Sequence, residues 1–176
     1  MTMSPAVRKL ALSAHIGASV GWLGALAVFL AHAVAGLGTE DVQIVRATAF
    51  AMGLTAWFVI LPLSLASLVT GVVQAIGSAW GLVRHYWVLF KLLLTVVATI
   101  VLLLKLGPIS HLESAARGLA FSGADLIGLR TSLLVHAAAG MLVLLVVLTL
   151  AVFKLALIAM LLGGTHGPNA HLPLGR

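Results

Sequence analysis

Five polar side chains stand inside long apolar runs of this sequence: His15, His32, Gln74, Lys91 and His136. A polar group in hydrocarbon is costly to keep, so each is a candidate for function by default. A neutral imidazole can ligate a haem iron or a copper ion. A lysine ammonium can hold a carboxylate or a phosphate. Helical rise sorts the five by depth, at about 1.5 Å per residue. His15 lies about 12 Å into the first run and Lys91 about 10 Å into the third, and both runs begin on the same side. Gln74, near the end of the second run, returns to that level. His32 and His136 share another level, about 25 Å from His15.

The direction of each group follows from helical spacing. Trp22 is seven residues after His15 and falls within about 20° of the same face, with Ser19 alongside. Lys91, Thr95 and Thr99 are spaced by four and form a matching row. Lipid-facing stripes avoid such groups, so both rows are expected to point into a bundle. The cofactor-binding candidates are thus His15, Lys91, Trp22 and Gln74. The metal-ligating candidates are His15, His32 and His136. Structural roles compete with these: a histidine can bond a neighbouring carbonyl, and Lys91 can snorkel to the head groups.

The elements that must position these groups are transmembrane helices. Of the 176 residues, 62% are hydrophobic and 8% charged, and the mean hydropathy is +1.21. Ordinary globular chains carry about a quarter charged residues. A soluble fold could not cover this much apolar surface, so the natural solvent is lipid. The net charge of +6 comes from basic residues scattered singly or in pairs, which is not the pattern of a nucleic-acid groove. With no cysteine, disulfides, thiolate metal sites and covalent haem attachment are excluded.

Four apolar runs predict four spans, at about 7–37, 47–79, 84–106 and 131–163, in one domain covering 1–164. The tail 165–176 has the composition of a disordered segment. Arg8-Lys9 before an apolar run has the outline of a signal peptide, but Leu10 to Leu30 is too long for one and long enough to span. The second helix is expected to start at an N-cap on Thr39 and to kink at Pro62. The third is expected to stop at Gly107-Pro108. A short helix should follow from the capping-box spacing Ser110-x-x-Glu113, and Ser122-x-x-Asp125 should open the fourth. Helices two and four would then each exceed the bilayer and project together from the side opposite the termini. Ridges of small residues at Ser13, Gly17, Gly21 and Ala25, and at Ser67, Gly71 and Ala75, predict close helix contacts.

Two short segments carry a resemblance. His15-Ile-Gly-Ala-Ser-Val-Gly-Trp22-Leu-Gly24 and Trp87-Val-Leu-Phe-Lys91-Leu92 are similar to the haem-containing, oxygen-independent bacterial protoporphyrinogen oxidases. They also resemble CopD-type copper-transport membrane domains. The segment Trp80–Leu104 resembles a group of small actinobacterial membrane proteins with no assigned activity. The oxidase resemblance implies His15 as a haem ligand and Lys91 as the partner of a propionate or substrate carboxylate. The match is partial: the further histidines of that family have no counterpart at matching spacing, and Lys105 stands where one is expected.

The expectation is an all-α, four-transmembrane-helix bundle of up-down topology in a bacterial cytoplasmic membrane. The basic residues Arg8, Lys9 and Arg84 place both termini inside. The leading function is b-type haem binding linked to redox chemistry. The alternatives are copper handling by His32 and His136, or a non-catalytic membrane subunit with no cofactor. The partners expected are the lipid bilayer and another membrane protein, and not nucleic acid.

Overall fold

The computed structural model describes residues 3–77, 86–118 and 126–163. Among these there are five α-helices and one π-helical turn: α1 (Pro5–Leu37), α2 (Val42–Thr55), the π turn (Ala56–Ile60), α3 (Leu61–Gly77), α4 (Tyr86–Arg117) and α5 (Ile127–Gly163). α2, the π turn and α3 run on as one rod. The described residues therefore form four antiparallel helical rods, each long and apolar enough to cross a membrane. The all-α four-helix bundle expected from the sequence is the fold observed.

Local chemistry explains the ends. Ser4 caps α1, with Pro5 opening the helix where a missing N–H is harmless. The second helix starts two residues later than the Thr39 expectation. Asp41 is its N-cap, because its carboxylate accepts from Gln43 N at 2.8 Å and complements the helix dipole. Thr39 Oγ1 instead accepts from the amide of Asp41. The effect of Pro62 is a π turn rather than a simple kink. The Leu61 N–H reaches back five residues to the Ala56 carbonyl, and this widening relieves the clash between the proline ring and the carbonyl of Phe58.

Three boundary expectations are corrected. α4 does not stop at Gly107-Pro108 but continues to Arg117, with Pro108 inside it. The two turns beyond the proline bury Ile109, Leu112 and Ala116 almost completely, and that burial outweighs one lost hydrogen bond. The capping-box pair has other partners: Ser110 Oγ accepts from Trp57 Nε1 at 3.1 Å, and Glu113 pairs with Arg117 at 2.6 Å. The fourth helix begins at Ile127 rather than at Ser122, because Leu126 has φ of 59°, which no right-handed helix can pass through. Ser122 and Asp125 themselves, like Trp80, Arg84 and the tail 165–176, lie outside the described residues.

Among the described residues, the second helix pairs at this end with α4 rather than with the fourth helix. α2 packs against the last turns of α4, with Arg46 donating to the Gly118 carbonyl and the Arg117 guanidinium lying over the Phe50 ring at 5.1 Å. All four rods have lengths of about 48–55 Å at 1.5 Å per residue, so the excess over the hydrocarbon core does not single out helices two and four.

The core runs along one stripe of α1, through Trp22, Ala25, Phe29 and Ala33, and meets Ala49, Met52 and Ile60 of the second rod, Ile109 and Leu112 of α4, and Leu133 of α5. The small-residue ridge is only partly used. Gly21 meets Leu63, but Gly17 has nothing near it and Ser13 is exposed. α1 comes close to α2 instead at Gly36, where a Cβ would come within 2.6 Å of Thr48 Oγ1.

Candidate functional site

His15 sits on α1, facing α3. Its Nδ1 is 3.0 Å from the Ser67 carbonyl oxygen and 3.1 Å from Thr70 Oγ1. A carbonyl only accepts, so Nδ1 carries the proton and Nε2 keeps its lone pair. The neighbouring Ser19 and Ser67 hydroxyls bond each other at 2.8 Å. Gly71 makes room for the ring: a Cβ there would lie 3.2 Å from His15 Cε1. The ridge of Ser67, Gly71 and Ala75, expected as a packing surface, is thus the wall against which the imidazole rests.

His15 and Lys91 line one cavity of about 200 Å³ between α1, α3, α4 and α5. Thr95, one turn from Lys91, lines it too. Thr95 and Thr99 turn their hydroxyls to carbonyls of their own helix, four residues back. Neither row faces lipid, as the spacing predicted: Thr99 is buried, and Lys91 and Thr95 are half-buried. None of the residues lining the cavity is acidic. The arrangement offers one Lewis-basic nitrogen, one ammonium group and apolar walls.

Two members of the expected set are elsewhere. Trp22 shares the face of His15 but is 3% exposed, packed in the core, and lines a different cavity. Two helical turns separate it from His15, and over that distance the neighbours of α1 change. Gln74 does not line the His15 cavity; its amide donates to the Ala11 carbonyl at 3.1 Å and ties α3 to α1.

The two remaining histidines are not brought together. His32 lines a small cavity with Thr48 and Arg130, whereas His136 lines the larger cavity that also contains Trp22. Each donates Nδ1–H to the carbonyl four residues back on its own helix, at 2.8 Å for His32 and 2.7 Å for His136. Among the described residues, no three His, Asp or Glu side chains are grouped as a metal site.

The chief residue that sequence reasoning missed is Arg130, 6% exposed beside Gly36 and Thr48. A signal for it existed. Arg130, Leu133, Ala137 and Gly140 recur at intervals of three and four, the spacing of a single buried stripe. No protein-family model matches this chain, and no curated protein or solved structure matches it.

Proposed function

We propose that this multi-pass integral membrane protein binds an amphipathic molecule bearing an anionic group through His15 and Lys91, with b-type haem as the specific candidate. The observation that carries this reading is the shared cavity: an imidazole with its Nε2 lone pair available, and an ammonium group in the same lining. Those are the two groups haem b would use, for its iron and for a propionate. The Nδ1–H bond to a backbone carbonyl is also the usual device that orients a ligating histidine.

Size limits how such a group would lie. Ligand pockets commonly enclose about 300–1,000 Å³, and this cavity is smaller. The cavity would therefore take only part of a macrocycle, the part that carries the groups His15 and Lys91 hold. His15 would hold the iron of such a group and Lys91 its carboxylate, and the group would supply redox chemistry. The cytoplasmic membrane, with both termini inside, is the location that Arg8 and Lys9 favour.

Absorbance tests the reading directly. Protein purified from haem-replete cells should show a Soret band, His15→Ala should lose it, and Lys91→Gln should weaken retention. A purified, folded sample with no Soret band after reconstitution with haem, or His15→Ala with full haem content, would overturn the haem assignment.

A further inference from the structure

The larger cavity has a different shape and chemistry. It is a slot of about 250 Å³ between α4 and α5, with Trp22 and Phe29 of α1 at its back. Small residues create it: Ala98 on α4 and Ala137 and Gly140 on α5 leave a gap that larger side chains would fill. Protein interiors are close-packed, so a gap of this size along a helix seam calls for an occupant. Val97, His136 and Ala139 are exposed at its margin, so it opens sideways to the bilayer.

The slot is apolar except at one end. On α4 its lining extends from Leu94 to Lys105 and Ile109; on α5 it extends from Leu133 and His136 to Leu144. The two helices are antiparallel, so Lys105 and His136 both lie toward the end remote from the chain termini, about one turn short of Ile109 and Leu133. From Lys105 to Leu94 is eleven residues, or about 16 Å of apolar wall. An apolar cavity of about 150 Å³ holds a benzene ring, so a volume of about 250 Å³ drawn out along this wall suits one slim hydrocarbon chain.

The polar end states what head group fits. Lys105 supplies a positive charge, and no acidic residue lines the slot. His136 donates Nδ1–H to the Ser132 carbonyl, so its Nε2 accepts a hydrogen bond. The site therefore pairs a cation for a phosphate with an acceptor for a hydroxyl.

We propose that the slot between α4 and α5 holds one acyl chain of an anionic glycerophospholipid, with the phosphate at Lys105 and a head-group hydroxyl at His136. The second acyl chain lies in the bilayer, through the open side of the slot. This site is separate from the His15 cavity and does not depend on what binds there.

Native mass spectrometry of the purified protein, exchanged against phosphatidylglycerol or phosphatidylcholine of equal chain length, tests it. One phosphatidylglycerol should be retained in preference to phosphatidylcholine. Lys105→Gln should reduce that preference about fivefold, the effect of one basic residue at a lipid head group. His136→Phe, which removes the acceptor, should weaken phosphatidylglycerol without changing phosphatidylcholine. Ala139→Leu, at an exposed position on the margin, should block both lipids, and its melting temperature reports that the bundle is intact. Equal retention of the two lipids by the wild type would overturn the proposal, as would an unchanged preference in Lys105→Gln. Undiminished binding in Ala139→Leu would also overturn it, and so would a dimer that carries no lipid, which would mean that a second copy covers the slot.

Discussion

At the scale of single residues, the glycines that matter are those where another side chain already occupies the space. Gly36 is buried, and a Cβ on it would come within 2.6 Å of Thr48 Oγ1. Thr48 cannot retreat, because it is short, buried and bonded to the Ile44 and Val45 carbonyls. Gly36→Ala should therefore destabilise the bundle by about 1–3 kcal/mol, the usual penalty for overpacking. Gly53 is a milder case. A Cβ there would meet Glu113 Oε2 at 2.5 Å, but that is the far end of a flexible side chain that can swing aside. Gly17 has open space around it, so Gly17→Ala should be neutral or gain up to about 1 kcal/mol from helix propensity. Thermal denaturation in one detergent should rank the variants with Gly36→Ala lowest, Gly53→Ala next and Gly17→Ala at or above the wild type. A Gly36→Ala variant as stable as Gly17→Ala would show that the α1–α2 approach is looser than described.

At the scale of elements, the two prolines show how packing decides what a helix breaker does. Pro62 is absorbed by the π turn before it. Pro108 lies in a helix that carries on for nine further residues, held by the contacts of Ile109, Leu112 and Ala116 and by the bond from Trp57 to Ser110. A proline inside a helix is about 3 kcal/mol worse than alanine. Pro108→Ala should therefore raise the melting temperature, by an amount corresponding to at most that figure. Had α4 ended at Gly107, the same substitution would remove a natural stop and leave stability unchanged or lower. Ser110→Ala with Trp57 intact supplies a control, since it removes one exposed hydrogen bond worth about 1 kcal/mol.

At the scale of the whole molecule, four crossings put the two ends of the chain on the same side of the membrane. Reporter fusions after Arg8 and after Gly167 should give the same answer. The cytoplasmic reading requires that answer to be inside; agreement on the outer side would reverse the orientation and leave the four-span fold standing. Opposite locations for the two fusions would contradict an even number of spans. The same topology separates the two cavities, because His15 and Lys91 lie near the terminal side while Lys105 and His136 lie near the other. One molecule could then hold ligands toward both faces.

What the sequence alone determined is what depends on composition and on counting along a helix axis. Lipid as solvent, four crossings and the common depth of His15 and Lys91 all follow from apolar run length and a fixed rise per residue. The inward direction of Lys91 and Thr95 followed as well, since polar groups are expensive against lipid. Tertiary structure decided everything that depends on which helices are neighbours. Trp22 left the His15 site because the neighbours of α1 change along its length. Gln74 became a tie to Ala11, the Ser67 carbonyl set the His15 tautomer, and Gly71 made room for its ring. Helix α4 ran through Gly107-Pro108. None of these could be counted from the sequence, because local propensity and rise describe one helix at a time. Contacts between residues tens of positions apart set the rest.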